Sequence, residues 1–492
     1  MNRRNFLSTA ALGMAGSLGM PALASATAKS ATSDIALLRE ILTTLHPGLY
    51  RYASPKAIDR GLSQLDRDWA QLDLPKRFLS LARFLAAIQC GHSYPNFFNQ
   101  KADIRQALFD PEKPYRLPFA FRWFGNEMVV TENQTPDVWL PVGSVVKAID
   151  GVPVGDVLKR LLPYVRADGG NDGKRRALLS ASGGDEIETF DVFYGLLYGA
   201  PKSGVFNIHY RAPGTSRDVW ADMKPLTLAQ RKAFIKQSDN SQGDKPIWNW
   251  IMRADGIAIL KMDGWALFNS KWNWQQWLDE RLDSLKGSEG LIVDIRENEG
   301  GMDCGDSILA RLTDKDIAKP AAKRLVRYAK VPEHLNAYLD TWDNGFRDWS
   351  KDVERYNDRF YLQKGTMADP VIPAKGPRVD VPMAVLTSPQ NSSATFMFAN
   401  LVRSTGLGTL IGETTGGNLR GINGGAFFFA RLPQSGLEFD VPLVGYFPDG
   451  ATPPDAGLAP DIRISQTAAD IASGTDRQLD AAVAHLLGKA NS

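Results

Sequence analysis

Val385-Leu386-Thr387-Ser388-Pro389-Gln390-Asn391-Ser392-Ser393-Ala394-Thr395-Phe396-Met397-Phe398-Ala399 reads as a strand, a turn and a helix in immediate succession. The β-branched and apolar start suits a buried strand, and the Pro/Asn/Ser cluster ends it. An apolar-periodic helix begins at the serine pair. This geometry presents the Ser393 hydroxyl at a helix N-terminus, where unpaired backbone N–H groups and the helix dipole favour negative charge. A serine nucleophile needs such a place, because its tetrahedral intermediate carries an oxyanion. Ser and Asn are also preferred helix N-caps, so these residues by themselves leave cap and nucleophile both open.

Outward from this stretch, strand-like and helical runs alternate from residue 256 onward. Strands are expected over 257–262, 291–295, 383–386 and 409–411, and helices over 272–285, 306–312 and 394–402. That alternation predicts an α/β core with largely parallel strands. Residues 314–380 interrupt it with a Lys/Arg/Asp-rich insertion studded with aromatics, among them Tyr328, Trp342, Phe346 and Trp349. A hairpin-like stretch, 426–430 with 437–444, follows the core, and 466–492 reads as a C-terminal helix. The tryptophans at 248, 250, 272, 274 and 277 read as core or interdomain packing.

Upstream, residues 29–110 form an N-terminal helical region. Ile35, Leu37, Leu38, Ile41, Leu42 and Leu45 make one apolar stripe, and Phe78, Leu81, Ala82, Phe84, Leu85 and Ile88 belong to another. The second ends in Cys90-Gly91-His92-Ser93. Residues 115–165 switch to short strands and turns, with an Asp150-Gly151 hairpin signal between apolar runs, and resemble a small PDZ-like β module. A connecting segment, 166–255, contains Asp168-Gly169-Gly170-Asn171-Asp172-Gly173-Lys174. This run faintly suggests a phosphate loop, but Arg175 stands where Ser or Thr is required, and it reads as a polar turn.

Bulk properties narrow the function class. The 492 residues exceed one compact core. A net charge of +2 without long basic runs gives no electrostatic case for nucleic acid. Two cysteines exclude a disulfide scaffold, and the five histidines lack metal-ligand spacing. Residues 1–28 carry Arg3-Arg4, a Gly/Ala/Leu/Met stretch and small-residue sites such as Ala22-Leu23-Ala24, the pattern of a twin-arginine signal peptide. The expected location is therefore periplasmic or secreted, and the apolar stretch is too short for a stable membrane span.

A second glycine-bearing turn, Asp294-Ile295-Arg296-Glu297-Asn298-Glu299-Gly300-Gly301, follows the strand-like run 290–293. Paired glycines let a backbone N–H approach a ligand closely, which suits an oxyanion-hole donor as well as an ordinary turn. Four elements in order, Asp294-x-Arg296-x-Asn298-x-Gly300-Gly301, Asn391-Ser392-Ser393-Ala394, Ile411-Gly412-Glu413-Thr414-Thr415-Gly416-Gly417, and Pro448-Asp449-Gly450 with Gly457-Leu458-Ala459-Pro460-Asp461, resemble the C-terminal processing (tail-specific) serine peptidases. Tricorn protease and interphotoreceptor retinoid-binding protein are relatives in that family. The resemblance spans about 290–465. It implies a crotonase-like α/β core over 256–465 that cleaves peptide bonds, with no metal or organic cofactor and a peptide or protein as substrate. Ser393 would be the nucleophile, and the N–H groups of Gly300 or Gly301 and of Ala394 the oxyanion hole.

The base departs from the tail-specific pattern. Those members place a lysine where this chain has Asn418, which cannot take a proton, and nearby Arg420 stays protonated. Tricorn-like members use a histidine in a Gly-His-Ser context, which Gly91-His92-Ser93 matches. By that resemblance His92 is the base and Asp455 the acid that orients it, with Glu413 a weaker candidate. Phe396 also departs from the glutamate often found after the nucleophile motif. The rival readings are a catalytically inactive peptide- or apolar-ligand-binding protein on the same scaffold, and a hydrolase of a non-peptide ester or amide.

Overall fold

The computed structural model describes residues 33–135, 137–182, 187–233, 243–364 and 371–488, so the expected signal peptide lies outside the described residues. The fold is mixed α/β. Its central sheet has six strands in the order Ile462–Arg463, Thr409–Gly412, Met383–Thr387, Gly290–Asp294, Ile257–Lys261 and Asn249–Met252. All neighbours are parallel except the last pair, which is antiparallel. The two middle strands are buried along their whole length, as a sheet covered on both faces requires.

Alternation along these strands assigns the two faces. Ala258, Leu260, Leu291, Val293, Val385 and Leu410 join one apolar cluster with helices Trp274–Asp283, Cys304–Leu309 and Ser393–Thr405. Their neighbours Ile257, Ile259, Ile292, Ala384, Leu386 and Ile411 face Ala481 and Ala482 of helix Arg477–Leu486. Trp248 and Trp272 are buried in the first cluster, with ring centroids 5.0 Å apart. The expected single C-terminal helix is instead two, Ala468–Ser473 and Arg477–Leu486. Gly474, at φ 69°, ends the first in a left-handed cap, and the Asp476 side chain caps the second by accepting from Leu479 N.

A second six-stranded sheet is antiparallel and is built on the hairpin Asn423–Arg431 with Glu438–Pro448. The insertion completes it. Strands Ala322–Val326, Tyr361–Gln363 and Val353–Arg355 extend it beyond Glu438–Pro448, and Leu339–Asp340 pairs with the other hairpin strand. The third sheet runs Phe119–Phe124, Glu127–Asn133, Val145–Ile149, Phe206–Arg211 and Asp218–Met223, with Val152–Pro153 paired to Val145–Ile149. Asp150 and Gly151 both take positive φ, 49° and 76°, as a two-residue hairpin of this twist demands. Both sheets share one core with the N-terminal helices, whose predicted stripes are buried.

Candidate active site

The strand Met383–Thr387 delivers the chain to the turn 388–392, and the helix Ser393–Thr405 starts there. Ser393 sits at φ 53°, a left-handed conformation that costs a non-glycine residue about 1–3 kcal/mol and persists only where its surroundings impose it. Asn391 supplies part of that constraint. Its buried amide donates to Ile295 O at 2.6 Å and to Asn298 O at 3.1 Å, while its Oδ1 accepts from Ser388 N. Ser392 makes no side-chain cap; its hydroxyl donates to Glu299 O at 3.2 Å. The serine pair therefore does not perform the capping that its residue types allow. Among the described residues, no hydrogen bond engages the Ser393 hydroxyl.

The glycine-bearing turn after Gly290–Asp294 lies against this helix start. A Cβ on Gly300 would fall 2.8 Å from Ser392 O, 3.0 Å from Ala394 N and 3.0 Å from Ser393 Cβ, so only glycine permits the approach. Gly300 has φ 116° and Gly301 φ 140°. Sequence could not choose between their N–H groups. Gly300 N donates to Asn298 Oδ1 at 2.9 Å, and Asn298 is itself held by Met262 O at 2.8 Å. Gly301 N and Ala394 N make no such hydrogen bond among the described residues. The Asp294-x-Arg296 part of the same motif is structural. Arg296 pairs in a two-pronged fashion with both Asp294 and Asp476, tying the turn to the C-terminal helix.

His92 is buried, with its ring centroid 5.7 Å from that of Phe427. Its turn is gripped at both backbone atoms of Gly91. Gly91 N donates to Asp168 Oδ1 at 2.9 Å, and Gly91 O accepts from Arg166 Nη1 at 2.7 Å. The other guanidinium nitrogen of Arg166 lies 2.9 Å from Glu299 Oε1, one residue before Gly300. Burial pushes the Asp168 carboxyl up to about 6, against the pull of the Gly91 N–H. Below the turn, His46 accepts from Gly48 N at Nδ1, which leaves the proton on Nε2, 2.9 Å from Ser93 Oγ. Burial, with Arg51 nearby, holds His46 neutral by drawing its pKa to about 3.

Asn418, at the position of the family lysine, is fully buried. Its Nδ2 donates to Asp455 Oδ1 at 2.7 Å and to Asp168 O at 3.1 Å, and its Oδ1 accepts from Arg420 N. Asp455 is exposed, and its Oδ1 also accepts from Gly170 N at 3.1 Å. Gly169, at φ 61°, makes this junction possible, since a Cβ there would fall 2.0 Å from Asp455 Oδ1. Burial raises the Glu413 carboxyl, which faces Ser465 and Arg463. The structure thus brings Ser393, Gly300, Gly301 and Ala394 together and ties the His92 turn to them through Arg166. Asp455 stands at the far end of the chain through Asn418. Asp168, Arg166 and Glu299 carry roles that motif reading did not isolate; the signals were the polar, glycine-rich run at 168–174 for Asp168 and the position next to Gly300 for Glu299, with none for Arg166.

Residues 256–464 match the model of peptidase family S41. No curated protein matches the chain. The structure of mature CPAF complexed with lactacystin is similar over 92% of this chain and 98% of that one, with a TM-score of 0.63 at 17% identity. The crystal structure of mature CPAF alone gives 93% and 98% coverage, a TM-score of 0.61 and 15% identity. At such identities the likeness shows the fold alone. The match of the core to the family model covers every motif that builds the nucleophile turn and the glycine loop, and this region, residues 256–464, is that of a serine-type peptidase of family S41.

Proposed function

We propose that this peptidase is exported and cleaves peptide bonds through Ser393 and His92. The observation that carries the reading is the left-handed Ser393 at a helix N-terminus, packed against Gly300 with the Gly301 and Ala394 N–H groups available. In this reading Ser393 Oγ attacks the peptide carbonyl while His92, whose reference pKa is about 6.5, takes its proton. The oxyanion rests on the Gly301 and Ala394 N–H groups. His92 returns the proton to the leaving amine, and water then hydrolyses the acyl-enzyme. Proton transfer needs about 2.6–3.2 Å between the two side chains in the substrate complex.

Asp168 holds the backbone of the histidine turn. Asp455 anchors Asn418, which in turn holds the Asp168 carbonyl. The central sheet and its helices support a crotonase-like core. The sheet containing 119–153 supports a PDZ-like module, and its edge strand Asp218–Met223 suits the addition of an extended peptide. Export rests on the twin-arginine pattern of residues 1–28 and is read from the compartment in which the processed chain fractionates.

A fluorophosphonate probe tests the chemistry. Wild type should be labelled, Ser393→Ala should not, and His92→Ala should be labelled far more slowly. A wild-type protein that stays unlabelled and cleaves no member of a peptide library sinks the proposal in favour of a binding protein.

A further inference from the structure

The run at 168–174 has the composition of an exposed polar turn, yet Asp168 and Lys174 are each 1% exposed, and the segment reaches all the stretches that bear the site. On one side it holds the histidine turn. Arg166 and Asp168 take the carbonyl and the N–H of Gly91, and Gly169 N donates to Gln89 O at 2.9 Å. On the other side it holds the nucleophile and oxyanion loops. Lys174 Nζ donates to Gln390 O at 2.8 Å and lies 2.9 Å from Glu299 Oε1, the same oxygen that Arg166 approaches. Asn171 Nδ2 donates to Thr415 O and Gly417 O, both at 2.9 Å. The Arg166 guanidinium is stacked 4.6 Å over the Tyr94 ring, so its plane is fixed as well as its contacts.

We propose that residues 165–174 form a clasp that sets His92 against Ser393, with Arg166 as its positioning residue. The inference rests on the serine–histidine reading above and adds to it the group that fixes the distance between base and nucleophile. The geometry assigns this task to Arg166 because a single rigid fork spans the two halves of the site: one nitrogen on the carbonyl preceding His92, the other on the carboxylate preceding Gly300. Glu299, held to its own loop next to Gly300, anchors the fork on the nucleophile side, and a shift of Gly91 moves the imidazole relative to it. Lys174 shares the Glu299 oxygen and keeps that carboxylate ionised, held well below its ordinary range by Arg166 and Lys174 together.

The test uses the full chain with Arg166→Met, Arg166→Lys and Glu299→Gln, scored by peptide hydrolysis and fluorophosphonate labelling rate. Arg166→Met should lower kcat and labelling on the order of 10²-fold with KM little changed, since a displacement near 1 Å costs about that much. Arg166→Lys should recover part of the loss, because a lysine can hold one of the two partners. In a His92→Ala background, Arg166→Met should add little further loss, because the histidine it positions is gone. Wild-type rates in Arg166→Met overturn the clasp, as does an equal loss with and without His92, which marks a merely structural role. If Arg166→Met does not fold, Glu299→Gln carries the same expectations and the same refutations. Labelling lost in Ser393→Ala but retained in His92→Ala fails the serine–histidine reading and the clasp with it; both reduced, with Arg166 indifferent, fails the clasp alone.

Discussion

Gly300→Ala is the sharpest perturbation of the oxyanion loop. The new methyl would lie 2.8 Å from Ser392 O, 3.0 Å from Ala394 N and 3.0 Å from Ser393 Cβ, and two of those three atoms are backbone that cannot rotate away. The loop must retreat by a few tenths of an ångström, and Gly301, the next residue, retreats with it. The backbone at φ 116° adds a strain of about 1–3 kcal/mol for a residue with a side chain. Loss of one oxyanion donor costs about 10²–10³ in kcat, or about 2.7–4 kcal/mol of transition-state stabilisation. The expected outcome is a fall in kcat and in labelling rate of that size with KM little changed. The melting temperature should drop by about 2–12 °C, from that strain at about 2–4 °C per kcal/mol. Labelling at the wild-type rate in a folded Gly300→Ala protein would refute the placement of the oxyanion beside Gly300 and Ser393. A loss that tracks the unfolded fraction would equally refute a specific role for the loop.

Two buried groups beneath His92 should give opposite pH dependences of stability. His46 falls from 6.5 to about 3 on folding, so the unfolded chain binds the extra proton and stability is lost as pH falls below 6.5. Asp168 rises from 3.8 to about 6, so its contribution is present below 3.8 and is lost as pH rises through 6. Each slope approaches about 1.4 kcal/mol per pH unit and they oppose one another between the two carboxyl values. Denaturant midpoints across that window should fall with rising pH in His46→Gln and rise with pH in Asp168→Asn; parallel profiles in the two variants would contradict the assignment. Lys174→Arg keeps a cation beside Glu299 but cannot serve as a base, so labelling should stay within about tenfold of wild type. A loss as complete as that of Ser393→Ala would make Lys174 the proton acceptor and displace His92 from that role.

The parts of the structure written in local patterns were legible in the chain. Periodicity gave the strand–turn–helix at Ser393, the alternation of the core and the stripes of the N-terminal helices, because burial of a face imposes those periods directly. The choice between Gly300 and Gly301 was not legible, because it turns on where the Asn298 side chain points. Arg166 and Lys174 were missed for a related reason. Their partners lie 75 and 216 positions away in sequence, and a contact made over such a distance leaves no spacing to detect. The insertion looked like an interruption for the same cause: its short strands find their partners on the hairpin Asn423–Arg431 with Glu438–Pro448, outside the alternating pattern they break.

Loss of the family lysine has a physical counterpart in the environment that replaces it. Where tail-specific members place an amine, Asn418 offers two amide protons, one directed to the Asp168 carbonyl of the loop that grips Gly91 and the other to the Asp455 carboxylate, and accepts from Arg420 N. An ammonium at that point would have to be taken out of water between a carbonyl and a carboxylate already satisfied by the amide, a costly exchange unless it paired fully. Lys174, buried beside the nucleophile turn, meets the opposite demand. Burial draws it down to about 8, but it donates to Gln390 O and lies 2.9 Å from Glu299 Oε1, and loss of its charge would leave the Glu299 carboxylate with a single cation. A base must give up such contacts readily and present a lone pair to Ser393. Neither Asn418 nor Lys174 can do both, which favours the role proposed for His92, on a turn held from behind by His46 through Ser93, by Asp168 and by Arg166.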